Sequence, residues 1–429
     1  MKFSIEQEKV IELFNNDKNI FMSGPGGTGK SFLIKYLVQL SYKTRKNIQV
    51  CALTGCASVL LNCNAKTIHS WAGIGLGNDD VDIIINKLLK NYFYLKKWKN
   101  IECLIIDEIS MMSKKMFDML DTIGRKLRNN NKPWGGIQLI FSGDFYQLSP
   151  VGNKDGDIDS KKFCFESDNW DQTFQNNVIL KYIFRQENKE FSDILNNIRI
   201  GKLKEKDINI LNKRLDIETN NLEIKPIKLF PTKIKVKNLN DTELEKLKDI
   251  EKIYEYKVNL KKNKHSDELI KHEINYILKN SLFEEKIILK KNCQVMCVAN
   301  LDLSNGISNG STGIVIDFVG DDPKVKFCNN KEFIISKKEW KSEKIKELSI
   351  YQHPLILAWG ITIHKSQGAS LDIAEIDVGN SIFTSGQTYV ALSRLKSLDG
   401  LYLKSFNPNN IIANKKVKKF YKKIKKIAL

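Results

Sequence analysis

No apolar run in this chain approaches the ~18 residues needed to cross a bilayer, and no leader pattern of charge, apolar core and small-residue cleavage site opens it. A membrane partner is therefore not expected. An intracellular, soluble protein is, with nucleus, cytoplasm and viral factory equally open. The eight cysteines (51, 56, 63, 103, 164, 293, 297 and 328) are scattered. None forms a paired C-x-x-C, which argues against structural zinc and for reduced, buried thiols. There is no internal repeat and no Pro/Ser-rich linker, so a solenoid is excluded. Arginine is scarce: of 69 basic residues only seven are Arg (45, 125, 128, 185, 199, 214 and 394). Where lysine is so dominant, an arginine marks a place that needs a planar, bidentate donor. Arg185 and Arg394 stand out by their setting.

What is present is length, charge and one loop. A chain of 429 residues with 42% hydrophobic content can build several packed cores. The formal net charge of +19 favours a polyanionic partner, nucleic acid being the commonest, although a genomic bias toward lysine accounts for part of it. Residues 24 to 31 read GPGGTGKS. Gly24, Gly26, Gly27 and Gly29, with Pro25 and Thr28 between them, let the backbone turn consecutive N–H groups toward one anion. Lys30 adds a charge for the β- and γ-phosphates, and the Ser31 hydroxyl suits Mg²⁺. The apolar run Asn19 to Ser23 before the loop predicts a strand. Phe32, Leu33, Tyr36, Leu37 and Leu40 after it predict a helix. Strand, glycine loop and helix N-terminus together make an anion site, and the loop points to a nucleoside triphosphate.

A second element completes that chemistry. CLIIDEIS places Asp107 and Glu108 at the carboxyl end of a buried strand, where ligands sit in open α/β sheets. Asp107 would hold the Mg²⁺ complex, and Glu108 would deprotonate the attacking water. SGDFYQL puts Asp144 and Gln147 at another strand end, with Gln147 placed to sense the γ-phosphate or its water.

Alternating strands and helices to about residue 178 predict one parallel-sheet unit, its strands at 19–23, 48–53, 102–107 and 137–144. A second unit follows over 179–292 and 356–429, with strands near 227–232, 357–364, 373–378 and 401–406. Residues 241–290 read as charged and helix-leaning. Short runs between turn signals over 293–355 predict a small inserted antiparallel barrel. At the C-terminus, KKVKKFYKKIKK places Val417, Phe420, Tyr421 and Ile424 on one helical face. The expectation is a helix docked on the second unit with its lysines in solvent. Its alternative use is added attraction to DNA or a nuclear address.

The ordered set SIEQEKV, GPGGTGKS, TGCAS, TIHSWAGIGLG, LIIDEISMM, KPWGGIQLIFSGDFYQLSPV, FRQ, LFPT, CQVMCVANLD, NGSTGIVIDF, AWGITIHKSQG and TYVALSR resembles the Pif-type (petite integration frequency) DNA helicases of superfamily 1B. The resemblance spans about residues 3 to 425. It implies an α/β fold of two RecA-like P-loop domains in tandem. A small accessory wedge would be inserted in the first at about 65–100, and an SH3-like β-barrel in the second. It also implies Mg²⁺- and ATP-driven 5′-to-3′ movement on single-stranded DNA, with unwinding of tailed duplex by a monomeric motor. Position by position, Gln7 matches the adenine-reading glutamine. Lys30, Ser31, Asp107, Glu108, Gln147, Arg185, Gly368 and Arg394 match nucleotide-site positions. Thr54, His69, Ser70, His364, Lys365 and Ser366 fall in motifs that line the DNA channel. Trp71, Tyr146, Trp359 and Tyr389 are candidates for base stacking or for core. Two departures, Ser149 before Pro150 and Ser58 in TGCAS, bear only on local DNA contacts. With the glutamine motif so near Met1, a minimal motor of viral or bacterial type is expected.

Overall fold

The computed structural model describes residues 3–427 apart from 62, 76, 153–156, 187, 220, 231, 262–264, 303–304, 343–344, 346, 364–365, 367–368 and 380–384. Six parallel strands organise the first unit: β1 (Ile20–Ser23), β2 (Ile48–Ala52), β3 (Lys66–Thr67), β4 (Cys103–Asp107), β5 (Gln138–Gly143) and β6 (Asn176–Ile179), in the spatial order β3-β2-β4-β5-β1-β6. Their central strands are apolar without alternation because both faces are covered. Phe21, Leu104, Ile106, Leu139 and Phe141 join one core, while Ile20, Met22, Cys103, Ile105 and Ile140 join the core on the opposite face. Helices Val81–Lys90 and Tyr92–Asn100 lie between β3 and β4 in sequence.

A second parallel sheet runs in the order Gly360–Thr362, Ile227–Phe230, Ala374–Val378, Leu401–Phe406. The two parallel α/β sheets are the RecA-like pair that the sequence implies. The segment expected as one strand over 357–364 is divided between two sheets. Leu355–Leu357 pairs antiparallel with Gln294–Cys297, and Gly360–Thr362 pairs parallel with Ile227–Phe230. Asn240 clamps the crossing: its Oδ1 accepts from Gly360 N at 2.9 Å, and its Nδ2 donates to Gly360 O at 3.0 Å.

Between these strands lies an antiparallel region: a five-stranded sheet ending on Leu355–Leu357, a three-stranded sheet and a two-stranded one. Within residues 241–290, strands Lys252–Glu255, Lys257–Leu260 and Lys286–Leu289 accompany helix Asp267–Asn280, where the sequence leans to helix throughout.

The C-terminal helix Lys415–Ile427 corrects another expectation. It docks on the first unit rather than the second. Val417, Phe420, Tyr421 and Ile424 enter the core that holds Phe21, Phe145 and Trp170. Phe420 stacks on Phe165 with centroids 4.3 Å apart, and Lys416 and Lys423 pair with Glu166 and Asp171 at the rim. No helix of the described residues is long and apolar enough to cross a membrane.

Candidate active site

β1 ends at Ser23, and the glycine loop carries the chain into helix Lys30–Thr44. Gly29, at φ 80°, is the N-cap and supplies no side chain to the first turn. The turn's N–H groups and helix dipole therefore face the loop, an arrangement suited to an anion. Lys30 Nζ lies inside the loop, 2.7 Å from Gly24 O and 2.8 Å from Pro25 O. Burial lowers its pKa against the opposing pull of Asp144, Asp107 and Glu108. Thr28 Oγ1 donates to Pro25 O at 2.9 Å and braces the turn.

β4 delivers Asp107 and Glu108 beside it. Asp107 is buried and accepts from Ser142 Oγ at 2.7 Å. Burial raises its carboxyl pKa, opposed by hydrogen bonds from Ser142 and Ser31 among others. A hydroxyl and a carboxylate this close are hard oxygen donors, the set that Mg²⁺ takes. Glu108 adopts φ 56°, left-handed for a side chain that gains nothing from it. Such backbone is held only where the surroundings enforce it. Gln147 is buried on the same side, and its Oε1 has no hydrogen-bond partner among the described residues.

The opposite wall comes from the chain after β6. Leu180 N donates to Ser23 O at 2.7 Å and Phe184 N to Gly27 O at 2.8 Å, so residues 180–184 are laced to the phosphate loop. Contact is close enough that a Cβ at Gly27 (φ 85°) would lie 2.6 Å from Arg185 Cβ. Arg185 Nη1 donates to Ser393 O at 2.9 Å. Arg394 Nε donates to Val390 O at 2.8 Å and its Nη2 to Ser393 Oγ at 2.9 Å. Burial, with the neighbouring Arg394 charge, lowers the Arg185 pKa to about 9, and burial lowers that of Arg394. Between the walls is a cavity of about 440 Å³ lined by Lys30, Ser31, Glu108, Gln147, Arg185 and Arg394, with Phe32 and Phe184 also on its lining. Phe32 and Phe184 remain partly exposed apolar surfaces there.

Of the remaining nucleotide candidates, Gly24, Pro25, Gly26, Gly27, Thr28 and Gly29 form the loop itself. Gln7 closes a capping box with Ser4 on helix Ile5–Asn15, and its Nε2 would lie 3.0 Å from a Cβ on Gly29. Gly368 lies outside the described residues, as do His364 and Lys365. Thr54 follows β2, and His69 and Ser70 follow β3, at the carboxyl edge of the sheet and away from the loop. Burial lowers the His69 pKa. Ser366 is fully buried, its Oγ donating to Ile363 O at 2.8 Å. The four aromatic candidates resolve to core: Trp71, Tyr146, Trp359 and Tyr389 are each at most 9% exposed.

Three contacts are not legible from sequence. The Tyr389 hydroxyl accepts from Gly26 N at 2.7 Å, joining the second unit to the phosphate loop. Arg199, on helix Lys189–Ile200, is bidentate on the fully buried Asp144, Nε to Oδ2 at 2.6 Å and Nη2 to Oδ1 at 2.8 Å. Tyr421 meets the same carboxylate. The rarity of arginine was a signal for Arg199; its partner's position in the chain was not.

The family described as PIF1-like helicase matches residues 2–209, and the DNA helicase Pif1 2B domain matches residues 274–318. The ATP-dependent DNA helicase Pif1 of Bdellovibrio bacteriovorus is 32% identical, over 98% of this chain and 92% of its own length. The ATP-dependent DNA helicase PIF1 of Danio rerio is 36% identical, over 99% of this chain and 64% of its own length, so the chain spans less than two thirds of that relative. Among solved structures, Pif1 from Bacteroides sp. in complex with ADP-AlF4 superposes with a TM-score of 0.82 at 28% identity, covering 99% of this chain and 98% of that one. Bacteroides Pif1 in complex with ADP-AlF3 and ssDNA superposes at 0.66, with the same identity and coverage.

Proposed function

The chain belongs to the PIF1-like helicase family, and on that premise we propose that it is an ATP-dependent DNA helicase. In this reading it hydrolyses Mg-ATP between its two parallel-sheet units, moves 5′ to 3′ on single-stranded DNA as a monomer and unwinds tailed duplex. The observation that carries the proposal is the pair Arg185 and Arg394, from the second unit, set against the phosphate loop of the first.

Each residue of the cleft has work in that reaction. The loop N–H groups and Lys30 bind the β- and γ-phosphates. Ser31 and Asp107 would hold Mg²⁺, whose charge would neutralise the phosphate oxygens as the terminal bond breaks. Glu108 takes the proton of the attacking water, and the unpartnered Gln147 Oε1 suits a hydrogen bond from that water. Phe32 and Phe184 offer apolar faces to the base, near the amide of Gln7. Arg185 and Arg394 stabilise charge on the transferring phosphoryl group. Arginines supplied this way are worth about 10³- to 10⁵-fold.

Both arginines reach the nucleotide only when the units are closed, so hydrolysis couples to opening. The names of the relatives and the ssDNA complex of the Bacteroides protein support DNA as the track. By the family's motif pattern, Thr54, His69 and Ser70 on the first unit and His364, Lys365 and Ser366 on the second are the residues assigned to that strand. The test is unwinding of 5′-tailed against 3′-tailed duplex with ATP. Only the 5′-tailed substrate should open, and equal opening of both, or of neither, refutes the reading.

A further inference from the structure

The C-terminal helix does more than cover an apolar surface, because one of its side chains ends directly behind the phosphate loop. The Tyr421 hydroxyl lies 2.5 Å from Ser23 Oγ, and Ser23 is the last residue before Gly24. The same oxygen accepts from Phe145 N at 3.1 Å and donates to Asp144 Oδ1 at 3.2 Å. One hydroxyl thus ties the ends of β1 and β5, the two adjacent strands that carry the phosphate loop and the Gln147 turn. Its hydrogen-bonding capacity is used: Ser23 and Phe145 donate to it, and it donates to Asp144.

Asp144 is in turn the anchor of the second unit. It is 0% exposed, and Arg199 reaches it bidentately. The Arg199 guanidinium lies over the rings of Tyr146 (4.6 Å) and Tyr421 (5.4 Å), which are themselves stacked 4.9 Å apart at 9°. Strand ends of the first unit, a helix packed in the core of the second and the chain's last helix therefore meet at one buried carboxylate. A charge buried in this way is expensive to uncouple, because removing one partner leaves the other unpaired and out of water. Tyr389 meets the loop from the cleft side, its hydroxyl accepting from a Gly26 N–H that a phosphate can take instead.

We propose that Asp144, Arg199 and Tyr421 form a fixed hinge behind the nucleotide cleft, with Tyr421 a positioning residue that holds the phosphate loop in register with the second unit. The inference rests on the functional reading above. It adds that the C-terminal helix is part of the nucleotide machinery. The second unit would swing about the hinge, so Arg185 and Arg394 move while Arg199 stays.

The experiment uses the full chain and Tyr421→Phe, which keeps the ring, the stack and the docked helix but removes the hydroxyl. The affinity of a fluorescent ATP analogue and the KM for ATP should each weaken about tenfold. The kcat should change less than threefold, and single-stranded DNA affinity without nucleotide less than twofold. Ser23→Ala removes the other end of the same bond and should give the same split. The double variant should lose no more than Tyr421→Phe alone, because the bond that Ser23→Ala deletes is one that Tyr421→Phe already removes. Nucleotide affinity and KM within twofold of the parent in Tyr421→Phe overturn the hinge, as do multiplying losses in the double variant. If Tyr421→Phe does not fold, Ser23→Ala alone decides by the same limits. A parent protein that binds the analogue but unwinds nothing would sink the helicase reading and leave this test readable.

Discussion

Replacing Arg394 by lysine keeps a positive charge at the cleft and should still cripple turnover. Two of the guanidinium's donors are spent on its own helix, Nε on Val390 O at 2.8 Å and Nη2 on Ser393 Oγ at 2.9 Å. Those bonds aim the group at the loop: a Cβ on Gly26 would lie 3.5 Å from Nη2. Lysine has no fork to anchor at one edge while it binds with the other. The anchoring bonds exist before and during the reaction, so their loss costs stability rather than rate. The barrier rises by what is made only with the transferring phosphate, one charge-assisted hydrogen bond of about 1.5–3 kcal/mol. That corresponds to a fall in kcat of roughly 10- to 150-fold. The assay is steady-state ATPase with saturating single-stranded DNA, alongside DNA binding without nucleotide, which should stay within twofold. If kcat for Arg394→Lys also stays within twofold, the second unit does not complete the catalytic site.

Lys30→Ala and Glu108→Gln should both abolish turnover by different routes. The first weakens fluorescent-nucleotide binding, and the second leaves it intact while kcat falls at least 100-fold, the scale of a lost general base; near-normal turnover in Glu108→Gln refutes its role. Changing Lys418, Lys419, Lys422 and Lys423 together to Gln leaves the buried stripe untouched, so melting should barely move. If that face grips DNA, the slope of log K against log salt should flatten by roughly 0.7 per lost contact, and an unchanged slope means it does not. Burial lowers the His353 pKa despite Asp322 at 2.9 Å. The folded state thus favours the neutral ring, and its stability is complete above the free-histidine value of about 6.5 and declines as pH falls below it. Melting curves at pH 8 and pH 5.5 should differ less in His353→Gln than in the parent.

What the sequence disclosed depended on whether a property is local. The central strands β1, β4 and β5 are continuous apolar runs because cores cover both their faces. The edge strands β3 and β6, reading KT and NNVI, went unread because an edge carries polar residues. Lys252–Glu255 and Lys257–Leu260 are charged and mostly exposed, so composition suggested helix where pairing makes strand. The phosphate loop, Asp107 and Glu108 were legible because their spacing is short and their chemistry rigid. The hinge was not: Asp144 meets Arg199 across 55 residues and Tyr421 across 277. No periodicity joins such positions, and the helical stripe of the C-terminus does not name the unit it packs on. Trp71, Tyr146, Trp359 and Tyr389 sit in motifs that suggest DNA contact, yet their bulk was recruited to core.

Charge compensation separates the interface arginines by task. Arg394 is buried between the units and Arg185 and Arg199 are partly buried there, and taking an uncompensated charge out of water is costly. Arg199 is compensated within the protein by both oxygens of Asp144, so nothing is gained when nucleotide arrives and nothing is lost when it leaves. Arg185 and Arg394 have, among the described residues, only Ser393 and Val390 oxygens as hydrogen-bond partners. Their lowered pKa values express that deficit, and Lys30 shares it from the other wall. Three cations converging on a cavity of about 440 Å³ are relieved by a polyphosphate and by little else of that size. Binding energy is therefore stored on the side that must open and close, while the neutral pair sits where the units must stay joined. A nucleotide should stabilise the fold in proportion to its charge, ATP above ADP above AMP at equal free concentration, because the tighter ligand shifts the folding equilibrium further. A melting series showing no such order would mean that the arginines are compensated by the protein itself, and the cleft would lose its reason to close on a triphosphate.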